Sequence, residues 1–335
     1  MKHLAASFLI GWIASLGLVR AEAAQAAEPV SFSYKDWVLQ CDNTGTCRAA
    51  GYQEEEGDSD PVSLMLTRAA GPGTPVQIEL QVYSDNETHG PYKLTVGRLN
   101  IGGLEGDSLL IPEARVPELL RELLRSAWGV VNSPARKAPW TLSLAGLNAV
   151  LLKMDEAQGR LDTPAALVRK GSREESSVPA ATATPRLVPV KPVATRPGDA
   201  GLVKPLLAAI DPGTVAEQCN SPDIDPASAV VTRLSAHEVL LALPCSTGAY
   251  NGTQLLWVAR DRPPYKPVLQ EANGDFDAKT GTVFSSMKGR GIGDCWSNQS
   301  WQLTAQGFVL SGSSNTGLCR GFPGGAWPLP DYVTR

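Results

Sequence analysis

Three short motifs in this sequence match those of serine acyl enzymes that carry a lysine in the active site. Ser285–Lys288 fits S-x-x-K, Ser84–Asn86 fits S-D-N and Lys279–Gly281 fits K-T-G. In such enzymes the first serine begins a helix and faces the K-T-G strand across a cleft. Here S-x-x-K follows K-T-G after only three residues and lies among glycines and β-prone residues. The motifs therefore predict no catalytic residue.

Side chains that bind metal ions are too few or wrongly spaced to form a site. The six cysteines contain no C-x-x-C pair, and only His89 and His237 remain after the leader described below, which argues against a zinc cluster. Asn273, Asp275 and Asp277 alternate as in a calcium loop, but the required glycine and the bidentate glutamate are missing. We interpret this run as a hairpin turn. The sequence predicts neither a metal nor a cofactor.

A glycine-rich run, Lys288–Cys295, is the strongest candidate for ligand binding. Alternate glycines let backbone N–H groups converge on an anion, and Arg290 within the run is suited to clamp a carboxylate or phosphate. The ordinary alternative is a turn before a disulfide. The nearby tryptophans fit either an aromatic platform for a glycan or peptide or a packed β core. The candidate binding surface consists of Arg290, Asp294, Trp296, Trp301 and Arg320.

The elements that position these residues follow a predicted leader. Met1–His3 is basic, Leu4–Val19 is an uncharged apolar run, and small residues allow cleavage near Ala23 to Ala26. This order predicts a secretory signal peptide over residues 1–26. The apolar run is shorter than the ~20 residues that span a bilayer. We expect a periplasmic or secreted protein with no transmembrane segment in its mature chain.

Composition and charge limit the partners. The 335 residues are 43% hydrophobic and 19% charged, as is typical of globular proteins. The net charge of -4 lacks the basic excess with which proteins neutralise nucleic-acid phosphates. We therefore expect no nucleic-acid partner, and an envelope protein or a wall polymer remains.

The six cysteines follow the predicted leader and are even in number, which predicts disulfides formed outside the cytosol. The first two flank a run of turn formers, so their thiols can meet across adjacent strands. Nearest-neighbour pairing is the simplest of the possible solutions and gives Cys41–Cys47, Cys219–Cys245 and Cys295–Cys319.

The composition between residues 169 and 205 divides the exported chain. This segment has six prolines, no aromatic residue and more basic than acidic side chains, so it cannot bury enough surface to order itself. We predict a flexible, extended, basic Pro/Ala/Thr-rich linker over residues 169–205. It separates an N-terminal domain, residues 27–168, from a C-terminal domain, residues 206–335.

The predicted fold is α+β and rich in strands. The N-terminal domain combines a sheet or sandwich with two helices, Pro117–Trp128 and Leu147–Gln158, whose apolar residues repeat at helical spacing. The C-terminal domain is predicted to be a small disulfide-stapled β domain. Turn-forming residues bound the predicted strands Phe32–Cys41, Cys47–Tyr52, Val62–Thr67, Val76–Val82, Tyr92–Val96, Leu109–Ile111, Ala229–Leu234, Val239–Pro244, Gln254–Ala259, Thr282–Ser285 and Phe308–Ser311.

Several segments resemble a bacterial exported family known as domain of unknown function 1176. The resemblance spans nearly the whole mature chain and implies a periplasmic or cell-envelope location, with no reaction to transfer. The first half is also similar, more faintly, to the invasion-associated locus B proteins, which implies an exported β-sandwich domain. The segments that carry the main resemblance are Asp36–Asn43, Cys47–Tyr52, Met154–Arg160, Ala165–Val168, Lys288–Cys295, Trp301, Gly307–Leu310, Cys319–Gly321 and Trp327–Pro328.

We therefore expect a non-enzymatic binding or interaction protein of the cell envelope. The sequence offers stapled β domains and no ordered set of nucleophile, base and metal ligands. Two alternatives stay open: an envelope hydrolase that uses Ser285 or His237, and an inhibitor of a lysozyme-like wall-degrading enzyme.

Overall fold

The computed structural model describes residues 27–84, 90–106, 109–219 and 225–335. The predicted signal peptide, His89 and most of the S-D-N motif lie outside these residues. Within them the chain forms four antiparallel sheets and a few short helices. The predicted strand-rich α+β class is confirmed. We refer to residues 27–168 and 206–335 as the N-terminal and C-terminal halves.

The N-terminal half contains two sheets. Its described strands are β1 (Val30–Tyr34), β2 (Trp37–Cys41), β3 (Cys47–Tyr52), β4 (Val62–Arg68), β5 (Val76–Val82), β6 (Tyr92–Val96), β7 (Leu99–Leu104), β8 (Leu109–Leu110), β9 (Trp128–Asn132) and β10 (Trp140–Ser143). The first sheet has the order β1-β2-β3-β4-β5-β8 and the second β10-β9-β6-β7.

Strand β2 is buried along its whole length because its two faces meet different neighbours. Trp37 and Leu39 point into the core of the N-terminal half, between its sheets and helices. Trp37 packs against Gly51 of β3, where a Cβ atom would lie only 2.0 Å from the indole. Val38 faces the opposite way and packs with residues of the C-terminal half. The first sheet is therefore a layer covered on both sides.

The helices of the N-terminal half close its core. Helix α1 (Val116–Leu123) starts close to the predicted position, with a proline in its first turn. It ends before Trp128, which begins β9, so the predicted helical position of Trp128 is wrong. Helix α2 (Leu147–Ala157) starts at the predicted residue. Gly146 precedes it with φ 103°, and a Cβ there would clash with the Tyr34 carbonyl oxygen at 2.0 Å.

The C-terminal half also contains two sheets. Helices α3 (Val203–Ala208) and α4 (Pro212–Gln218) precede them. The strands are β11 (Val230–Arg233), β12 (Glu238–Thr247), β13 (Gly252–Arg260), β14 (Val268–Leu269), β15 (Asp275–Asp277), β16 (Thr282–Lys288), β17 (Trp296–Thr304), β18 (Gly307–Asn315) and β19 (Leu329–Val333). Their orders are β11-β12-β13-β14 and β15-β16-β17-β18-β19.

The two C-terminal sheets pack face to face. Leu240 and Leu256 of the first sheet meet Val283, Trp301 and Leu303 of the second in one apolar cluster. The other face of the first sheet packs against helix α3 and the residues that follow it. This half is therefore a two-sheet sandwich with one helical cover. The hairpin expected in place of a calcium loop is present: Asp275–Asp277 forms β15, which pairs with β16 across a turn at residues 278–281.

Part of the segment between the halves has no helix or strand, over residues 179–196. It nevertheless hydrogen-bonds to the C-terminal half. The Leu187 N–H donates to the Arg335 carbonyl at 2.9 Å, the Arg335 N–H donates to Pro185 at 2.9 Å, and the Val190 N–H donates to Leu303 at 2.8 Å. These hydrogen bonds hold its backbone beside the second C-terminal sheet. That residues 169–205 are a linker between two separate domains stays a prediction.

The three disulfides are those of nearest-neighbour pairing, Cys41–Cys47, Cys219–Cys245 and Cys295–Cys319. No helix within the described residues has the length and apolar character needed to cross a membrane.

Candidate functional site

An ion cluster joins the two halves. In it, residues next to β2 and β3 contact the segment that follows Cys319. Arg320, after the last cysteine, donates to Asp36 at 3.1 Å and lies 2.8 Å from the Glu55 carboxylate. The Gln53 side chain donates to the backbone carbonyl of Arg320 at 2.8 Å. Arg320 and Asp36 are separated by 284 residues in the chain. Arg320 of the predicted binding surface is therefore a buried contact between the halves, which we call the seam.

Apolar side chains complete the seam. Val38, Ala50 and Tyr52 pack with Phe322 and Trp327 in one buried cluster. The Trp327 indole N–H donates to the Ser63 hydroxyl at 2.6 Å. Burial raises the pKa of the Tyr52 hydroxyl above its usual value. Because these side chains are buried, the apolar part of the seam is unavailable to an outside partner, whereas Glu55 of the ion cluster is 70% exposed.

Hydrogen bonds between a side chain and the backbone extend the seam. The Asn43 side chain donates to the Val333 carbonyl at 3.1 Å and accepts from the Val333 N–H at 2.8 Å. Asn43 stands in the turn between β2 and β3, and Val333 ends β19. The side-chain amide of Asn43 thus makes with Val333 of β19 the two hydrogen bonds that a neighbouring strand would make.

The glycine-rich run forms the loop between β16 and β17, which we call the binding loop (residues 289–295). Arg290 makes a two-pronged ion pair with Asp294, through Nε at 2.7 Å and through Nη2, and also donates to the Cys319 carbonyl at 3.1 Å. Asp294 is buried and accepts from the Gly321 N–H at 2.7 Å. Burial opposes ionisation, but the hydrogen bonds from Arg290 and Gly321 lower the pKa of Asp294 below its usual value.

These contacts fix the loop and occupy the groups that were expected to take a ligand. The Arg290 guanidinium already holds an internal carboxylate, so it is not a free anion clamp. The disulfide Cys295–Cys319 joins the end of the loop to the Cys319–Gly321 segment. At its start, Asn251 accepts from the Lys288 N–H at 2.8 Å and donates to the Lys288 carbonyl at 3.1 Å. The loop is braced at both ends.

The tip of the binding loop presents apolar surface to solvent. Ile292 is 73% exposed, and Tyr250 beside the loop is also exposed. A Cβ atom on Gly291 would lie 3.7 Å from the Tyr250 ring. Lys288 lies 5.2 Å from the centroid of the Trp296 ring, in cation–π range. The exposed surface therefore combines an aliphatic tip, two aromatic rings and a lysine.

The five predicted surface residues have different positions. Trp301 is 7% exposed and belongs to the core between the C-terminal sheets. Asp294 and Arg320 are buried in ion pairs. Arg290 and Trp296 remain partly accessible beside the loop tip. Ile292 and Tyr250, which also reach solvent here, were not predicted from the sequence. The signal for Ile292 was its place between two glycines, which is unusual for a core residue.

The two residues of the hydrolase alternative lie on elements of different sheets, Ser285 in a strand of the second C-terminal sheet and His237 in a turn of the first. Ser285 is in the middle of β16, so S-x-x-K lies on a strand and does not begin a helix. His237 is exposed in the turn between β11 and β12.

A second buried ion cluster accounts for the Met154–Arg160 segment at the end of α2, one of the segments that carry the family resemblance. The Asp155 carboxylate accepts from the Leu167 N–H at 2.7 Å and the Val168 N–H at 3.0 Å. Arg160 is fully buried and donates to Glu175 at 3.1 Å and to Ala69 at 3.2 Å. Burial raises the pKa of Asp155, against the pull of these N–H groups and of nearby arginines. The motif fastens the chain after α2 to the first sheet.

Comparison with known proteins assigns the chain to a family. The model of the family described as "Protein of unknown function (DUF1176)" matches residues 31–335. The chain belongs to this family. It is 26% identical over 339 residues to "Uncharacterized protein YpfG" of Escherichia coli (strain K12), which covers 92% of this chain and 94% of that protein. No solved structure matches the chain.

The DUF1176 match includes both halves, and it therefore includes every residue of the seam and of the binding loop. The resemblance seen in the sequence is confirmed for this family. The fainter similarity to the invasion-associated locus B proteins stays a prediction.

Proposed function

We propose that this DUF1176 protein acts outside the cytosol, in the periplasm or at the cell envelope, by binding a macromolecule through its binding loop. The partner is an envelope protein or a wall polymer. The role is that of a binding module rather than of an enzyme.

The exposed, braced loop tip carries this proposal. Ile292 is 73% exposed, while the loop below it is held by a disulfide, the Arg290–Asp294 ion pair and the Asn251 bridge. Single exposed apolar residues are ordinary on protein surfaces, whereas Ile292 shares its fixed loop tip with the exposed Tyr250 ring, and grouped apolar surface of this kind is typical of binding sites. A loop ordered beforehand also loses little conformational entropy on binding.

Disulfide chemistry supports the compartment. Three disulfides join all six cysteines, and such bonds persist mainly in oxidising compartments. We expect the protein from a periplasmic fraction to lack residues 1–26 and to contain no titratable thiol before reduction. Retention of the leader together with free thiols would contradict the export proposal.

Two matched surface variants test the loop. Ile292→Asp changes the loop tip, and Val188→Asp changes a side chain of equal exposure, 73%, on the segment between the halves. Tagged proteins exported from cells are isolated with their bound material, which is identified by mass spectrometry for proteins and by sugar analysis for wall polymer. We expect wild type and Val188→Asp to retain the same material and Ile292→Asp to lose it. Equal retention by all three folded proteins would contradict the loop as the contact.

Inhibition of a wall-degrading glycosidase is a second candidate, favoured by Lys288. Its ammonium faces the Trp296 ring beside the loop tip, and glycosidase clefts carry paired carboxylates that attract a cation. The purified protein is expected to slow wall lysis by a lysozyme-like enzyme, and Lys288→Glu to remove the effect. Unchanged lysis at saturating protein would exclude this candidate.

A further inference from the structure

A cleft of about 500 Å³ opens in the N-terminal half, away from the binding loop. It lies between helix α1, the start of β5 and residues 165–170. This volume is in the range of small-molecule sites, about 300 to 1,000 Å³. Its walls are mainly apolar and are formed by Pro75, Val76, Val116, Pro117, Leu120, Leu124 and Leu167.

A buried arginine lines the base of this cleft. Arg68 is 4% exposed; its Nε donates to the Thr74 carbonyl at 3.0 Å and its Nη1 to the Ala165 carbonyl at 2.9 Å. Its Nη2 donates no hydrogen bond within the described parts of the chain. Asp155 pairs with it only loosely: Arg68 Nη1 and Asp155 Oδ1 lie 3.8 Å apart, too far for a hydrogen bond, while Asp155 Oδ2 accepts from two backbone N–H groups. The guanidinium is thus buried with incomplete charge compensation, which costs free energy.

Two further cations stand at the rim. Arg121 and Lys170 line the cleft and are exposed. Neither forms an ion pair with any described residue, although Lys170 donates to the Pro164 carbonyl at 3.1 Å. Glu113 is the one acidic residue of the lining. With Asp155 behind Arg68 included, three cations stand against two carboxylates, so the cleft combines an apolar wall with a net charge of +1.

Burial also affects the arginine itself. Desolvation lowers the pKa of Arg68 to about 10, the neighbouring Arg160 adds to this effect, and Asp155 and Glu175 oppose it. An anion beside Arg68 would relieve the cost of holding this charge in a dry site.

We propose that the cleft binds an amphiphilic carboxylate, that is, an aliphatic chain with one anionic head group. A carboxylate oxygen accepts from Nη2 of Arg68, the guanidinium nitrogen that the described residues leave unused, and Arg121 and Lys170 provide the outer charge. The aliphatic chain packs against Leu120 of α1 and against Leu124, which follows the helix. The cleft belongs to the N-terminal half and the binding loop to the C-terminal half, so this inference does not depend on the proposed function.

Calorimetric titration of the purified full-length protein with decanoate tests the inference. Acetate supplies the head group alone, and decan-1-ol supplies the chain without the charge. We expect decanoate to bind with one-to-one stoichiometry and at least tenfold more tightly than either. No saturable binding of decanoate, or equal affinity for decan-1-ol, would overturn the inference.

Matched charge reversals locate the site. Arg121→Glu with Lys170→Glu reverses both rim cations, and Arg125→Glu with Lys137→Glu makes the same charge change at exposed residues that do not line the cleft. We expect the rim variant to bind decanoate about tenfold more weakly, because two exposed side chains that attract the carboxylate are replaced by side chains that repel it. The control variant should bind as wild type does. Equal weakening in both, with circular dichroism unchanged, would overturn the assignment to this cleft.

Discussion

Arg320 tests how burial decides the strength of an ion pair, because its guanidinium contacts two carboxylates of very different exposure. The side chains of Arg320, Asp36 and Glu55 are 8%, 12% and 70% exposed. Removing one partner of a buried pair costs about 3 to 5 kcal/mol, whereas exposed pairs contribute about 0.2 to 1 kcal/mol. Since Asp36 keeps some contact with solvent, we expect Arg320→Ala to lower the free energy of unfolding by about 3 kcal/mol.

Double-mutant cycles separate the two contacts. Urea unfolding at pH 7, followed by tryptophan fluorescence, is measured for Arg320→Ala, Asp36→Asn, Glu55→Gln and the two double variants. The hydrogen bond from Gln53 is to the backbone of Arg320, so it survives these changes. We expect a coupling free energy of about 2 kcal/mol for Asp36 with Arg320 and below about 0.5 kcal/mol for Glu55 with Arg320. Equal couplings, or no destabilisation by Arg320→Ala, would refute the seam as described.

Three further predictions concern Asp199, between the halves, and two sites in the C-terminal half. Hydrogen bonds from Arg233 lower the pKa of Asp199 to about 2. The ionised carboxylate therefore contributes about 2 kcal/mol to the free energy of unfolding above pH 4, and this contribution is lost as the pH falls towards 2. In acid titrations, Asp199→Asn should remove this fall in the free energy of unfolding between pH 4 and pH 2. Replacing Cys295 and Cys319 by alanine opens a loop of 24 residues and should cost about 3.5 kcal/mol in chemical denaturation; no loss would contradict the pairing. Trp301→Ala should cost about 3 to 5 kcal/mol in the same assay, and an unchanged midpoint would contradict its core position.

Local patterns predicted the elements that local interactions specify. The turn formers between Cys41 and Cys47 predicted the β2–β3 hairpin and its disulfide, because the two thiols are brought together by one turn. The apolar spacing from Leu147 predicted α2 from its first residue. Five C-terminal strands were expected within a few residues of their ends, since each is a β-prone run between turn formers.

The missed elements show where the same rules end. The leucines of α1 continue at helical spacing to Trp128, but the chain pairs residues 128–132 with β6 and β10, and periodicity contains no information about that partner. Strand β17 is rich in Ser, Asn and Gln, so it lacks the β-branched signature of a strand.

The candidate surface was predicted only in part because residue type does not reveal burial. Tryptophan and arginine are frequent in binding hot spots, yet the same side chains fix interiors, as Trp301 and Arg320 do here. The seam joins Asp36 to a residue 284 positions away, and a pattern read along the chain cannot pair them. Ile292 became a candidate for the contact only once its exposure was known.

Photo-crosslinking in intact cells tests the binding role of the loop most directly. A benzoylphenylalanine placed at Ile292 reaches whatever touches the loop tip, and the same residue at Val188 reports on an equally exposed position away from it. We predict one discrete adduct from position 292 that position 188 does not give. Identical adduct patterns at both positions, or no adduct at 292 in cells that export the folded protein, would contradict the account.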